Sequence, residues 1–64
     1  MNPASFLKMP DVEKRTGLTR FTIYRMIKRN EFPRQVQISP MRVVWIAEEI
    51  DEWFQKRLDA RKTA

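Results

Sequence analysis

Most of the charged side chains in this sequence are cationic, and four of the 13 cations lie close together between positions 20 and 29. A helix advances about 100° per residue, so this spacing places basic and aromatic side chains on one half of a helix and apolar ones on the other. The outer half, termed the basic face, comprises Arg20, Phe21, Tyr24, Arg25, Lys28 and Arg29. A face with four cations and no carboxylate indicates a surface for an external anion, and a solvated face without a partner is the alternative.

Groups that support catalysis are scarce. The chain contains no histidine or cysteine, one glycine and two serines, so it cannot assemble the usual nucleophile with its base, a zinc site or a glycine-rich phosphate loop. Four acids between positions 48 and 52 could be imagined as a metal cluster, but acids at a helix start more often complement the helix dipole. We therefore expect no enzyme activity, metal, cofactor or small-molecule substrate.

A glycine-containing turn precedes the basic face. Gly17 is suited to the left-handed conformation that ends a helix over residues 10–16, in which Pro10 occupies the first turn. Thr19 can accept a hydrogen bond from a free backbone N–H at the start of a second helix over residues 20–29. Two helices joined in this way, the second with a basic outer face, are typical of a helix-turn-helix, whose second helix enters the major groove of double-stranded DNA.

The basic face and its cap supply groups suited to DNA. Arginine can donate to guanine O6 and N7 or to phosphate, lysine to phosphate, and hydroxyl groups to the DNA backbone. The predicted contacts are Arg20 and Arg25 with guanine or phosphate, Lys28 and Arg29 with phosphate, and Thr19 and Tyr24 with the backbone. Phe21 has two alternatives, which are contact with a thymine methyl group and packing on the first helix.

Two short strands are expected after residues 30–33, which end the second helix because the residue before a proline disfavours the α region and Pro33 cannot continue the helix. Residues 35–38 alternate polar and apolar, residues 43–46 are β-branched or aromatic, and residues 39–42 have the length of a hairpin turn. Arg42 therefore lies at or near the tip of a β-hairpin, or wing. There it can reach a minor groove or a phosphate, or it can remain a solvated arginine.

A third helix is expected over residues 47–61. Its apolar residues have the spacing of a buried stripe, formed by Ala47, Ile50, Trp53, Phe54 and Leu58. Trp45 and Trp53 are expected to supply burial rather than to form a site, because large aromatic residues at strand and helix spacing usually pack in the core.

These elements predict a mainly α fold with a small β-hairpin, a winged helix-turn-helix of three helices and a two-stranded wing over residues 9–61. Residues 1–8 are predicted to form an N-terminal arm in which Phe6 and Leu7 can contact the core. Residues 62–64 are predicted to be a frayed C-terminus.

The charge is distributed unevenly along the 64 residues. The whole chain carries a net charge of +5, residues 14–42 hold eight cations and one acid, and residues 47–59 have a net charge of −3. The middle of the chain is thus expected to meet a polyanion. The sequence contains neither a signal peptide nor an apolar run of membrane-spanning length, so we expect a cytoplasmic protein without a membrane partner.

Several motifs together resemble the prophage AlpA family of transcriptional regulators. They are Met9-Pro10-Asp11-Val12, Thr16-Gly17-Leu18-Thr19-Arg20, Thr22-Ile23-Tyr24-Arg25, Phe32-Pro33, Trp45 and Glu49-Ile50-Asp51-Glu52-Trp53. The resemblance implies a winged-helix DNA-binding domain related to those of MerR regulators and phage excisionases, with residues 19–29 as recognition helix and Arg42 as wing arginine. The tip Ser39-Pro40-Met41 departs from the glycines usual in the family.

Three functions follow as hypotheses. The resemblance implies a sequence-specific regulator that activates transcription of an integrase gene and so promotes excision of a prophage or integrative element. An excisionase that bends DNA at attachment-site repeats is an alternative with the same fold, and a basic protein-interaction module is an alternative of another class. The protein could bind DNA as a monomer on repeats, as a homodimer or as a larger array, with the third helix as the dimer surface.

Overall fold

The chain folds as three helices and a small antiparallel sheet. A computed structural model describes residues 5–63, with side-chain surroundings as far as residue 61. The elements in chain order are β1 (Phe6–Leu7), α1 (Met9–Thr16), α2 (Arg20–Lys28), β2 (Val36–Ser39), β3 (Arg42–Ile46) and α3 (Ala47–Thr63). This architecture confirms the predicted winged helix-turn-helix.

The first helix of the pair, α1, has ends set by local chemistry. It begins one residue before the predicted start, with Pro10 in its first turn and the Asp11 carboxylate accepting a hydrogen bond from the Lys8 N–H (3.3 Å). It ends at Gly17, whose φ of 74° is left-handed and whose N–H donates to the Glu13 carbonyl (2.8 Å). This is the turn predicted from the single glycine of the chain.

The second helix, α2, is one residue shorter than predicted. It ends at Lys28, and Arg29 is its C-terminal cap residue. Asn30 then adopts a left-handed φ of 59°, and the Glu31 N–H donates to the Met26 carbonyl (2.8 Å). The chain therefore turns away two residues after the helix, before Pro33 is reached.

The sheet has three strands in the order β1-β3-β2, with β3 in the centre. β2 and β3 form the predicted hairpin, and β1 adds a strand on the other edge of β3 through antiparallel pairing. A hydrogen bond from the Ala47 N–H to the Ser5 carbonyl (2.8 Å) continues this pairing. Part of the predicted N-terminal arm is thus a strand of the sheet, whereas residues 1–4 lie outside the described residues.

The core lies between the sheet and the helices. Its buried residues are Leu7, Val12, Ile23, Phe32, Trp45, Ala47 and Ile50. The fully buried Trp45 donates its indole N–H to the Pro33 carbonyl (3.1 Å), and the partly buried Trp53 donates to the Glu31 carbonyl (2.8 Å). Both tryptophans therefore combine apolar packing with a hydrogen bond to the loop after α2.

Two expectations about burial are confirmed for some residues and wrong for others. Phe6 is 62% exposed while Leu7 is buried, because successive side chains of a strand point to opposite faces. The stripe of α3 is buried at Ala47 and Ile50, but Phe54 and Leu58 are exposed. Helical spacing shows which side of α3 is apolar, but it does not show where the body of the domain ends beneath a helix about 25 Å long.

The end of α3 extends beyond the predicted boundary. The helix runs to Thr63, two residues past the expected end, and Ala64 lies outside the described residues. The prediction of a frayed end over residues 62–64 stays a prediction.

Candidate nucleic-acid interface

The first turn of α2 is held by two side chains from outside the helix. Thr19 accepts a hydrogen bond at Oγ1 from the Thr22 N–H (3.3 Å), as predicted for a capping residue. Glu13 reaches across the turn from α1 and accepts a hydrogen bond at Oε2 from the Arg20 N–H (2.9 Å). Two backbone donors that the helix leaves free at its start are thereby paired, and the orientation of α2 relative to α1 is fixed.

Glu13 was not singled out by the sequence analysis as part of this region. The residue lies seven positions before Arg20, with the turn between them, and no helical or strand periodicity relates the two positions. Its acidic character suits the positive end of the α2 dipole. The sequence offers one weak signal for this role of Glu13. The residue has no basic neighbour one helical turn away on α1 with which its carboxylate could pair.

The basic face is solvent-exposed along its whole length. Its residues are Arg20, Phe21, Tyr24, Arg25, Lys28 and Arg29, and Thr19 at its start is exposed as well. On the opposite side of α2, Ile23 is fully buried, while Met26 and Ile27 are partly buried against the core. The division of the helix into an outer basic half and an inner apolar half agrees with the helical spacing of the sequence.

The cations of the basic face have no acidic partner among the described residues. Arg15 of α1 forms an ion pair with Asp51 of α3 (2.9 Å), away from the basic face. Arg34, in the loop after α2, donates to the Asn30 side-chain oxygen (3.3 Å) and adds a further exposed cation near the end of the helix. The positive charge of this surface is therefore available to an external anion.

The two aromatic residues of the basic face have different surroundings. Phe21 is 73% exposed, and the guanidinium carbon of Arg20 lies 5.7 Å from its ring centroid, so packing on α1 is not what the structure shows. The ring of Tyr24 lies 6.3 Å from that of Trp45, measured between centroids, and the residue is 40% exposed. Phe21 is thus free to meet a ligand, whereas Tyr24 also contacts the core.

The wing, residues 36–46, presents its turn to solvent. Pro40 and Met41 form the turn, and Arg42 is the first residue of β3, paired with Ser39. Arg42 is exposed beside the tip, close to its predicted position. It lies on a different element from the other predicted contacts, which α2 and its cap bring together on one surface.

The acids at the start of α3 lie in the described part of the chain, where no group of three or more acidic side chains is arranged so that it could hold a metal ion. No helix over residues 5–63 is long and apolar enough to cross a membrane.

The model of one protein family matches most of the sequence. It describes the prophage CP4-57 regulatory protein (AlpA) and matches residues 5–58, from β1 into the second half of α3. The chain belongs to the AlpA family. The match includes both helices of the helix-turn-helix and the whole wing of this AlpA-family protein, so the family assignment and the fold rest on the same residues.

This AlpA-family protein is similar in sequence to a phage protein and to a bacterial protein. It is 40% identical over 57 residues to the uncharacterised protein ORF88 of Enterobacteria phage P4, covering 89% of this chain and 65% of that protein. It is 35% identical over 57 residues to the DNA-binding transcriptional activator AlpA of Escherichia coli, covering 80% of this chain and 81% of that protein. The chain thus spans a little under two thirds of the phage relative.

Proposed function

We propose that this AlpA-family protein is a sequence-specific regulator that binds double-stranded DNA and controls transcription in a prophage or integrative element. The observation that carries the proposal is the exposed basic face on the second helix of a helix-turn-helix, whose cations have no acidic partner among the described residues. The E. coli relative named as a DNA-binding transcriptional activator supports the same reading. Like that relative, the protein activates transcription in this proposal.

The proposed target gene is an integrase gene, whose expression would promote excision of the element. This part of the proposal rests on the prophage origin of the family and not on any residue of the site. A regulator of this kind works in the cytoplasm of the cell that carries the element. It acts through binding alone, without enzymatic chemistry.

Binding would divide the work between base edges and phosphates. Arg20 and Arg25 extend toward guanine O6 and N7 or phosphates, and Lys28 and Arg29 neutralise phosphates on the flanks of the groove. Phe21 is available to a thymine methyl group because it does not pack on α1.

Three predicted contacts have further constraints. Tyr24 donates its hydroxyl to the DNA backbone while its ring rests near Trp45. Thr19 already uses Oγ1 in hydrogen bonds with the hydroxyl and N–H of Thr22. Its main contribution in this proposal is to hold the first turn of α2 in position next to the DNA backbone. Arg42 contacts the adjacent minor groove or a phosphate from the wing.

The first experiment tests DNA binding and its location together. The purified protein is mixed with sheared DNA from the genome that carries its gene, and the tightest bound fragment is footprinted. Protection upstream of an integrase promoter supports the activator. Repeated sites at an attachment junction favour the excisionase alternative, and recovery no better than for random fragments, with the protein folded, points to an interaction module with another acidic partner.

A salt titration then tests which cations meet the phosphates. Each phosphate contact contributes about 0.9 to the steepness of log K against log salt. Replacing Arg25 and Lys28 by alanine should therefore reduce the steepness by about 1.8 if both meet phosphates and by about 0.9 if Arg25 binds guanine. The matched control replaces Lys56 and Arg61, exposed cations of α3, and so removes the same formal charge from another element. Equal slopes for the two folded double variants would contradict the proposed orientation of α2.

A further inference from the structure

The tip of the wing carries the most exposed large apolar side chain of the described residues. Met41 is 92% exposed, Ile38 beside it is 58% exposed, and Pro40 shares the turn with Met41. Two ordinary roles do not explain these side chains. A residue of the core would be covered by other side chains, and a turn that serves only solubility would carry polar groups. Its apolar surface is available to a ligand.

The backbone holds this tip in one shape. Proline fixes φ at position 40, and Met41 has a negative φ, which excludes a type II turn. The side-chain amide of Gln37 donates to the Pro40 carbonyl (3.4 Å), and the register of pairing with β3 shifts between Gln37 and Ser39, as it does at a β-bulge. A bulge increases the local twist of a hairpin and so gives the turn a defined direction relative to β3.

The charges around the tip indicate the kind of ligand. Residues 35–46 contain no acid, and Arg42 directly follows Met41. The same chain presents the basic face of α2, which we have proposed to lie in the major groove of DNA. An apolar tip flanked by a cation and free of carboxylates is suited to a groove that is lined by phosphates but has stacked, apolar bases at its floor.

We propose that Met41 is an apolar wedge that enters the minor groove beside the site of α2, inserts partly between two base pairs and kinks the DNA, while Arg42 neutralises the neighbouring phosphate. The proposal rests on the proposed DNA-binding function and adds a change in DNA shape to it. Wedges of this kind unstack one base step and bend the duplex toward the major groove. Pyrimidine–purine steps yield most easily, so the wedge also gives a preference at a position that α2 does not read.

Three variants separate the wedge from its alternatives. Met41→Gln keeps the length of the side chain but makes it polar, Met41→Leu keeps it apolar, and Arg42→Ala removes the adjacent charge while leaving the wedge. Met41 and Arg42 are both exposed, so the three variants should melt at the wild-type temperature. Energy transfer between dyes at the two ends of a duplex carrying the footprinted site measures bending, and 2-aminopurine fluorescence measures unstacking at each step.

The wild-type protein and Met41→Leu should bend the duplex and raise the fluorescence at one step next to the α2 footprint. Met41→Gln should lose both signals and weaken binding about tenfold, because it no longer buries an apolar side chain. Arg42→Ala should weaken binding yet retain the fluorescence step. Wild-type binding with no bend, or a bend unchanged in Met41→Gln, would overturn the wedge and leave the proposed function standing.

The proposed function fails separately, when the wild-type protein does not bind the duplex at all. A wing that contacts another protein instead of DNA would show as binding and footprints that are the same for wild type and Met41→Gln. In that case the exposed tip would not belong to the DNA interface.

Discussion

Replacement of Glu13 by alanine should destabilise the protein through the start of α2. The carboxylate accepts a hydrogen bond from the Arg20 N–H (2.9 Å) and lies at the positive end of the α2 dipole. A hydrogen bond to a charged group contributes about 1.5–3 kcal/mol, and the partial exposure of Glu13 favours the low end. We therefore expect a loss of about 1.5 kcal/mol, which for a domain of this size lowers Tm by about 6–12 °C.

The assay is thermal and urea unfolding followed by tryptophan fluorescence. Glu13→Gln retains an acceptor but no charge, so it should lose about half as much stability as Glu13→Ala. Lys14→Ala, an exposed neighbour on the same helix, controls for the change to alanine itself. If Glu13→Ala unfolds at the same temperature and urea concentration as Lys14→Ala and wild type, the bond across the turn contributes nothing and our account of how α2 is oriented is wrong.

Three further predictions follow from single positions. Gly17→Ala should cost about 1–2 kcal/mol in urea unfolding, from the left-handed backbone alone, because an added Cβ meets no atom within 4 Å. Ile50→Ala should cost about 2–5 kcal/mol in the same assay, because Ile50 is buried. Phe54→Ser should cost less, because Phe54 is 41% exposed; equal losses would contradict the observed burial. Arg42→Ala should weaken DNA binding in a gel-shift titration by less than Arg20→Ala, and a greater loss would make the wing the main reader.

The local elements of the fold could be predicted because single residues set their limits. Gly17 ends α1, Thr19 caps α2, and the hairpin lies on both sides of Pro40, all through conformational preferences that act within a few residues. The strand β1 was harder to predict, because two residues carry no usable alternation and gain their conformation from pairing with β3. That segment is a strand only because β3 lies beside it and pairs with it.

Some features of the candidate site could likewise be predicted from the sequence, and others could not. The exposure of the basic face follows from helical spacing, and Ile23 on the opposite side is buried as that spacing requires. The choice between the two roles of Phe21 needed the structure, since α1 could have covered it. Two features depend on how far one element extends past another, and the spacing of residues along the sequence does not predict that. They are the hydrogen bond between Glu13 and Arg20 and the exposure of Phe54.

The contact between Tyr24 and Trp45 has a mechanical consequence. One ring belongs to the helix proposed to read the major groove, the other is fully buried in the central strand of the sheet, and the indole N–H is anchored on the Pro33 carbonyl. The ring contact therefore links the position of α2 to that of the central strand, which is also a strand of the wing. If the proposed complex keeps this spacing, a duplex has to adapt to both elements at once, and a sequence that deforms easily would do so at the lowest cost.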